Sequence, residues 1–271
     1  MTDGLWSRRM RLLGGLVLVT WLVLPLIPLG VWSVARGWFF PDLLPTAWTL
    51  EPWRYALSDV GGVPGSLGVT VGIAAGATLL ALIVGVPAGR ALGMHDFRGK
   101  RLVEIAILAP VIVPGIAVAM GLHAVFLRAG LTGSVWGVML VHLVPVLPYV
   151  VLVMAGVFAN HDLRLEDQAR SLGAGPVAVW WHVTLPAILP GMAVAALFAF
   201  LVSWSQYILT LLIGGGRVVT LPLLLFNFAT SGRNDIAGAI AVIYVLPGVV
   251  VLAVTARYLT GRGVALRGVA R

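Results

Sequence analysis

Two short stretches concentrate the residues able to do chemistry in a chain that is otherwise apolar. The first, from Asn160 to Pro186, reads NHDLRLEDQARSLGAGPVAVWWHVTLP and sets Asp162, Glu166 and Asp167 beside Arg164 and Arg170. Carboxylates and guanidiniums mixed at this spacing suit a polar helix face that meets a protein groove or lies on a membrane surface. A surface anchor would gather Lys and Arg on that face, so the mixed signs favour the groove. The second stretch is Ser203-Trp204-Ser205-Gln206-Tyr207, inside a long apolar run. Hydroxyl and amide groups there are costly in lipid, so they line a pathway, bond back to their own helix or tie helices together. His123 and His142 leave the same alternatives open, a pathway or a packed structural role. No catalytic residue and no metal site is expected, because the chain has no cysteine, no His-Glu-x-x-His run and no G-x-S-x-G elbow.

The elements that must position these residues follow from composition. Of 271 residues, 60% are hydrophobic and 10% charged, where a soluble domain carries about 25% charged residues. Mean hydropathy is +1.02, so a soluble globule is excluded and the chain is read as an all-α membrane protein. Apolar runs between charged or Gly/Pro-rich breaks give six transmembrane helices, near 12–34, 66–93, 103–127, 134–158, 187–213 and 236–259, in one domain over 1–271. An even number of spans puts both termini on one side. Of the 18 Lys and Arg, only Arg36, Arg54, Arg128, Arg217 and Arg233 then fall on the other side, which makes the termini cytoplasmic. The net charge of +8 is thereby assigned to orientation, and no nucleic-acid partner is expected. The apolar stretch from Leu12 to Val34 is longer than a secretory signal, so a retained first helix is expected despite Ser33-Val34-Ala35 near its end.

Between about 35 and 65, Pro41, Pro45, Pro52 and Pro64 predict an irregular outer loop with a short helix around Trp53-Arg54-Tyr55, and Trp38, Trp48 and Trp53 suit the membrane boundary. Gly68, Gly72 and Gly76, then Gly85, Gly89 and Gly93, predict packing seams on span 2. Prolines at 110, 114, 145, 148, 186, 190 and 247 predict kinks. Glu104 is expected to pair with Arg101 or Lys100.

The loop 160–186 reads as a helix–turn–helix elbow. Asp162 caps a first helix with Leu165, Ala169 and Leu172 along one side and an i, i+4 pair between Glu166 and Arg170. Gly173 and Gly175 end it. Pro176 then opens a second helix with Val177, Trp180, Trp181 and Val183 as its apolar side, up to Pro186.

The run Asp167-Gln168-Ala169-Arg170-Ser171-Leu172-Gly173, followed after nine residues by Val183-Thr184-Leu185-Pro186, resembles the Glu-Ala-Ala-x3-Gly-x9-Ile-x-Leu-Pro signature of binding-protein-dependent ABC importer permeases. Asp167 stands for the Glu, Gln168 for the first Ala and Val183 for the Ile, while Ala169, Gly173, Leu185 and Pro186 match. The resemblance implies a type I importer permease fold with a coupling helix in a bacterial inner membrane. It implies as partners a dimer of cytoplasmic ABC ATPases, a second permease subunit that is often a different chain, and an external substrate-binding protein. ATP and magnesium would sit on the ATPase, since the only Gly-Lys, Gly99-Lys100, lacks the rest of a phosphate-binding loop. The stretch from Ser203 to Phe226 looks like spermidine/putrescine-type permeases, so the expected cargo is a small polar solute such as a polyamine. Asp42, Glu51, Asp59 and Asp235 on the outer side would suit a cation or be plain loop residues. The competing class is an ion-coupled secondary carrier, which the absence of buried acids in the spans and of an internal repeat weakens.

Overall fold

The computed structural model describes residues 10, 13–18, 20, 21, 23–38, 41, 42 and 44–260, the last ten by backbone alone. The start of the first expected span lies partly outside these residues. The described chain is helical apart from turns and one two-stranded ribbon: α1 (Leu26–Ser33), β1 (Ala35–Arg36), β2 (Ala47–Trp48), α2 (Glu51–Leu57), α3 (Val63–Met94), α4 (Lys100–Ile112), α5 (Gly115–Arg128) and α6 (Val135–Ala159), with the remainder below. The elbow contributes α7 (Leu163–Ser171), and α8 runs from Pro176 to Trp204. The chain then forms α9 (Ile208–Gly214), α10 (Leu221–Thr230) and α11 (Asn234–Thr260). The described residues up to 65 group with 224–246 into one compact unit, and 66–223 with 247–260 into a second.

Among the described residues three helices, α3, α6 and α8, are long and apolar enough to cross a hydrocarbon core by themselves. The third expected span, 103–127, is instead two helices, α4 and α5, bent by 104°. Pro114 causes the break: it caps α5 and holds Val113 extended, as the residue before a proline prefers. The fifth expected span, 187–213, also differs. Its helix begins earlier, in the elbow at Pro176, and ends at Trp204, where Ser205 to Tyr207 separate it from α9.

In the second unit α3, α6 and α8 share a core of Ala81, Val86, Val150, Met154, Ile188 and Ala195. A second cluster, around Ile73, Val138, Val141 and Ile213, joins α3 and α6 to α5 and α9. The glycine seam is real over part of its length. A Cβ at Gly85 would lie 2.6 Å from Val150 Cγ1, one at Gly89 would lie 2.5 Å from Met154 Cβ, and one at Gly93 would strike the carbonyl oxygen of Ala155. These contacts bring α3 against the backbone of α6, where dispersion replaces the missing side chains. Gly68 and Gly72 have open space instead.

In the first unit the expected short helix is α2, and β1 pairs antiparallel with β2 through Ala35 opposite Trp48 and Arg36 opposite Ala47. Arg36 Nη1 lies 3.3 Å from Glu51 Oε2, and Arg233 makes two 3.1 Å bonds to Asp235. Two of the four outer acids, read as suiting a cation or as plain loop residues, thus have an arginine partner. Glu104 forms no ion pair among the described residues; Lys100 pairs with Asp96 at 3.1 Å, one turn before it.

Candidate functional site

The first helix of the elbow is specified at both ends. Asp162 Oδ1 accepts a 3.0 Å bond from the Arg164 N–H, as an N-cap does. At the other end the Gly173 N–H bonds the Arg170 carbonyl at 2.9 Å and the Ala174 N–H bonds the Ala169 carbonyl at 3.0 Å. This pair of bonds is a Schellman closure, which requires a left-handed residue, and Gly173 has φ +90°. Beyond its chain neighbours, no atom of the described residues lies within 4 Å of the place its Cβ would take, so the backbone angle rather than crowding demands glycine.

The helix turns a different side inward from the one its apolar residues suggest. Leu165 is exposed, and Leu172 is 89% exposed. Glu166 is buried instead, with 1% of its surface accessible. The reason is a set of partners that lie elsewhere in the chain. Arg90 Nη2, from α3, donates to Glu166 Oε2 at 2.9 Å, and Thr184 Oγ1, from α8, donates to Oε1 at 2.8 Å. Arg170 Nη2 reaches Oε2 at 3.2 Å, which is the expected i, i+4 pair, and His161 Nε2 lies 3.3 Å from Oε1. Burial alone would raise the Glu166 pKa, but the Thr184 hydroxyl and the Arg90 guanidinium outweigh it and hold the carboxyl below its ordinary value. Loss of Arg90 would remove the bond to α3 while Arg170 and Thr184 stay on the carboxylate, so Glu166 would keep partners from α7 and α8 but none from α3.

Arg90 is itself held. Its guanidinium carbon lies 5.8 Å from the ring centre of Phe158, on α6, and 6.0 Å from that of Trp180, on α8. Trp180 opens a wider π turn, Trp180–Thr184, inside the otherwise α-helical segment. Pro186, which cannot donate a backbone bond, comes two residues after the turn, and the second elbow helix continues through it as the rest of α8. Val179 is buried and Trp180 partly so, while Val177 and Trp181 are exposed, contrary to the apolar side read from spacing.

Among the signature residues, Asp167 is exposed and reaches Arg170 Nη1 at 3.4 Å. Ala169, Val183 and Leu185 are half-buried and Pro186 is exposed. The outward surface of α7 therefore carries Asp167, Gln168 and Leu172 around a shallow depression. Arg90, His161 and Thr184 were not singled out from sequence: Arg90 is 76 residues from Glu166, and no local pattern marks it.

The polar cluster after Val202 divides in two. Ser203 and Trp204 are buried. Ser203 Oγ lies 2.8 Å from His142 Nδ1, whose Nε2 lies 3.0 Å from Thr210 Oγ1, so the buried imidazole ties α6 to α8 and α9. Ser205, Gln206 and Tyr207 instead line a cavity of about 420 Å³ with Val113, Gly115 and Tyr149. Both helix breaks, at Val113–Pro114 and at Ser205–Tyr207, open onto this space, and no charged residue lines it. His123 belongs to neither group, and its Nδ1 is buried without a hydrogen-bond partner. Among the described residues no cluster of His, Asp and Glu could hold a metal.

Residues 85–262 match the family model described as "Binding-protein-dependent transport system inner membrane component". The chain is 30% identical over 177 residues to the spermidine/putrescine transport system permease protein PotC of Haemophilus influenzae, covering 65% of this chain and 69% of that one. It is 30% identical over 221 residues to the molybdenum transport system permease protein ModB of Mycobacterium bovis, covering 76% and 84%. A crystal structure of a bacterial ABC transporter involved in the import of the acidic polysaccharide alginate matches it with a TM-score of 0.70. That match covers 96% of this chain and 98% of the other at 20% identity, a likeness of fold.

Proposed function

Since the chain belongs to the family of binding-protein-dependent transport system inner membrane components, and is the permease component of an ABC importer, we propose that it works as one half of a type I translocation pathway. It crosses the bacterial inner membrane six times with both termini in the cytoplasm. The elbow 160–186 is the coupling segment that docks on a dimer of ABC ATPases. A second permease subunit, a different chain, completes the pathway, and an external binding protein delivers the cargo. ATP and magnesium stay on the ATPases.

The observation that carries this reading is the two-sided elbow. Glu166 is turned inward and bonded to α3 and α8, while Asp167 and the 89% exposed Leu172 face out beside an end fixed by Gly173. Exposed leucine next to a carboxylate is the composition of a surface awaiting an apolar groove with a basic rim. ATP-driven closure of the ATPases draws two such elbows together, and the helices rock as units to open the outer side.

The cavity between the two breaks is the candidate route, with Ser205, Gln206 and Tyr207 offering hydroxyl and amide groups to a passing solute. Its uncharged lining supports a small polar solute as cargo. The relatives are named for different cargoes, spermidine/putrescine and molybdenum, so a polyamine is one member of that class rather than its definition.

The test is capture of the cognate ATPase by the detergent-purified chain. The wild type is expected to retain the ATPase in stoichiometric amount, Asp167→Lys and Gly173→Val to lose it, and Asp167→Glu to keep it. Equal retention by all four would remove the elbow from the docking surface. No retention by a correctly inserted wild type would end the reading altogether.

A further inference from the structure

The elbow meets the rest of its unit through a charged joint. A pull on α7 has to reach the spans by some path, and Glu166 offers a short one: Arg90 Nη2 at 2.9 Å belongs to α3, and Thr184 Oγ1 at 2.8 Å belongs to α8. The pair with Arg170 stays within α7 and connects nothing else. Arg90 sits beside Phe158 and Trp180, at 5.8 and 6.0 Å, and these ring contacts resist a swing of its side chain after a displaced Glu166. On the same helix Gly89 and Gly93, on either side of Arg90, hold α3 against α6 at backbone distance, which removes slack beside the pair.

We propose that Arg90 and Glu166 are the positioning pair that locks the elbow to α3, so that a displacement imposed on the elbow moves α3 with it as one rigid body. The inference rests on the transport reading for the source of that displacement, but the lock itself is a property of this chain. A charged pair with an inaccessible carboxylate suits the role because it has few alternative arrangements: parting Arg90 from Glu166 leaves the carboxylate with Arg170, which belongs to α7 itself and transmits nothing to α3. An apolar contact of the same area would slide at much smaller cost.

The chain has no cysteine, so spin labels can be placed on cysteines introduced at Ala91 and Leu163, both exposed and lying on α3 and α7. In the reconstituted importer the label-to-label distance is expected to be single, narrow and unchanged between the nucleotide-free and ATP–vanadate-trapped states. Glu166→Gln, which keeps the side chain's shape, and Arg90→Met, which keeps an apolar stem between the rings, should each broaden the distribution and make it shift on trapping. The double variant should be no worse than either, since both remove the same bond. Three results would overturn the inference: variants as narrow as the wild type in both states, a wild-type distance that itself shifts on trapping, or loss of ATPase capture by Glu166→Gln. The last would mean that the pair serves only the folding of the elbow. If the wild type captures no ATPase, the transport reading fails separately. The joint is then decided by the isolated chain: broadened distances in the variants support it, and unchanged ones refute it.

Discussion

Ser203 Oγ lies 2.8 Å from His142 Nδ1 although the two residues are 61 positions apart, and the other ring nitrogen meets Thr210 Oγ1 at 3.0 Å. With both nitrogens satisfied and the ring 1% exposed, His142 is a structural tie. His142→Ala removes the ring and strands the Ser203 hydroxyl in the core, at a cost of about 1–3 kcal/mol, while Thr210 keeps its 3.0 Å bond to the Gln206 carbonyl. Ser203→Ala should cost less, about 1 kcal/mol. Thermal inactivation of the detergent-solubilised variants checks the order, and equal melting temperatures for His142→Ala and wild type would contradict it.

Gly173 closes α7 at φ +90° with open space around it. Backbone angle is the whole constraint, so Gly173→Asn, which tolerates the left-handed region, should keep the elbow intact. Gly173→Val should destabilise the closure by about 1–2 kcal/mol or more. ATPase capture and protease resistance of the 160–186 segment distinguish the two. Failure of both variants alike would point to a contact at Gly173 rather than a backbone requirement.

Gly89 and Gly93 are occupied by α6 at backbone distance, whereas Gly68 and Gly72 face open space. Leucine at position 89 or 93 should therefore part α3 from α6 and sharply reduce folded, membrane-extracted protein, while leucine at 68 or 72 should leave the yield of the isolated chain close to wild type. The comparison is made by size-exclusion profile at matched expression.

The Glu166 carboxyl sits below its ordinary pKa, because the Thr184 hydroxyl and the Arg90 charge outweigh burial. A depressed carboxylate contributes stability that is fully present above the unfolded-state pKa and is lost as pH falls through the folded one. Protection of the α7 amides, corrected for intrinsic exchange rates, should be flat between about pH 8 and pH 5 and fall only at lower pH. Glu166→Gln should show weaker protection throughout and no such acid-side loss.

Ser205, Gln206 and Tyr207 line the 420 Å³ cavity. Ser205→Trp fills part of that space without touching the elbow, so it should abolish transport while ATPase capture persists. Transport at the wild-type rate would remove the cavity from the route.

The elbow's existence, its cap at Asp162 and its stop at Gly173 were legible because each is a short-range matter of side chain and backbone angle. The side it buries was not. Spacing set Leu165, Ala169 and Leu172 along one side without saying which side is buried, and Glu166 took that place, since its partners Arg90 and Thr184 lie far along the chain and no helical period registers them. The breaks at Pro114 and Ser205 were hidden for another reason: hydropathy measures cost in lipid, and both breaks sit in stretches apolar enough to read as one span each. His142 stood open between two roles from sequence, and only the positions of Ser203 and Thr210 decide between them.

The π turn at Trp180–Thr184 amounts to one extra residue stored in a helix. Because each residue advances an α-helix by about 100°, that surplus resets the phase of everything from Leu185 to Trp204. Two distant registrations hang on it: Thr184 against the elbow carboxylate, and Gly191 against Val157 of α6. A one-residue deletion inside the turn could be absorbed as ordinary helix, with its length intact and its phase wrong. Such a chain would insert normally and mesh with its neighbours like a gear set one tooth out.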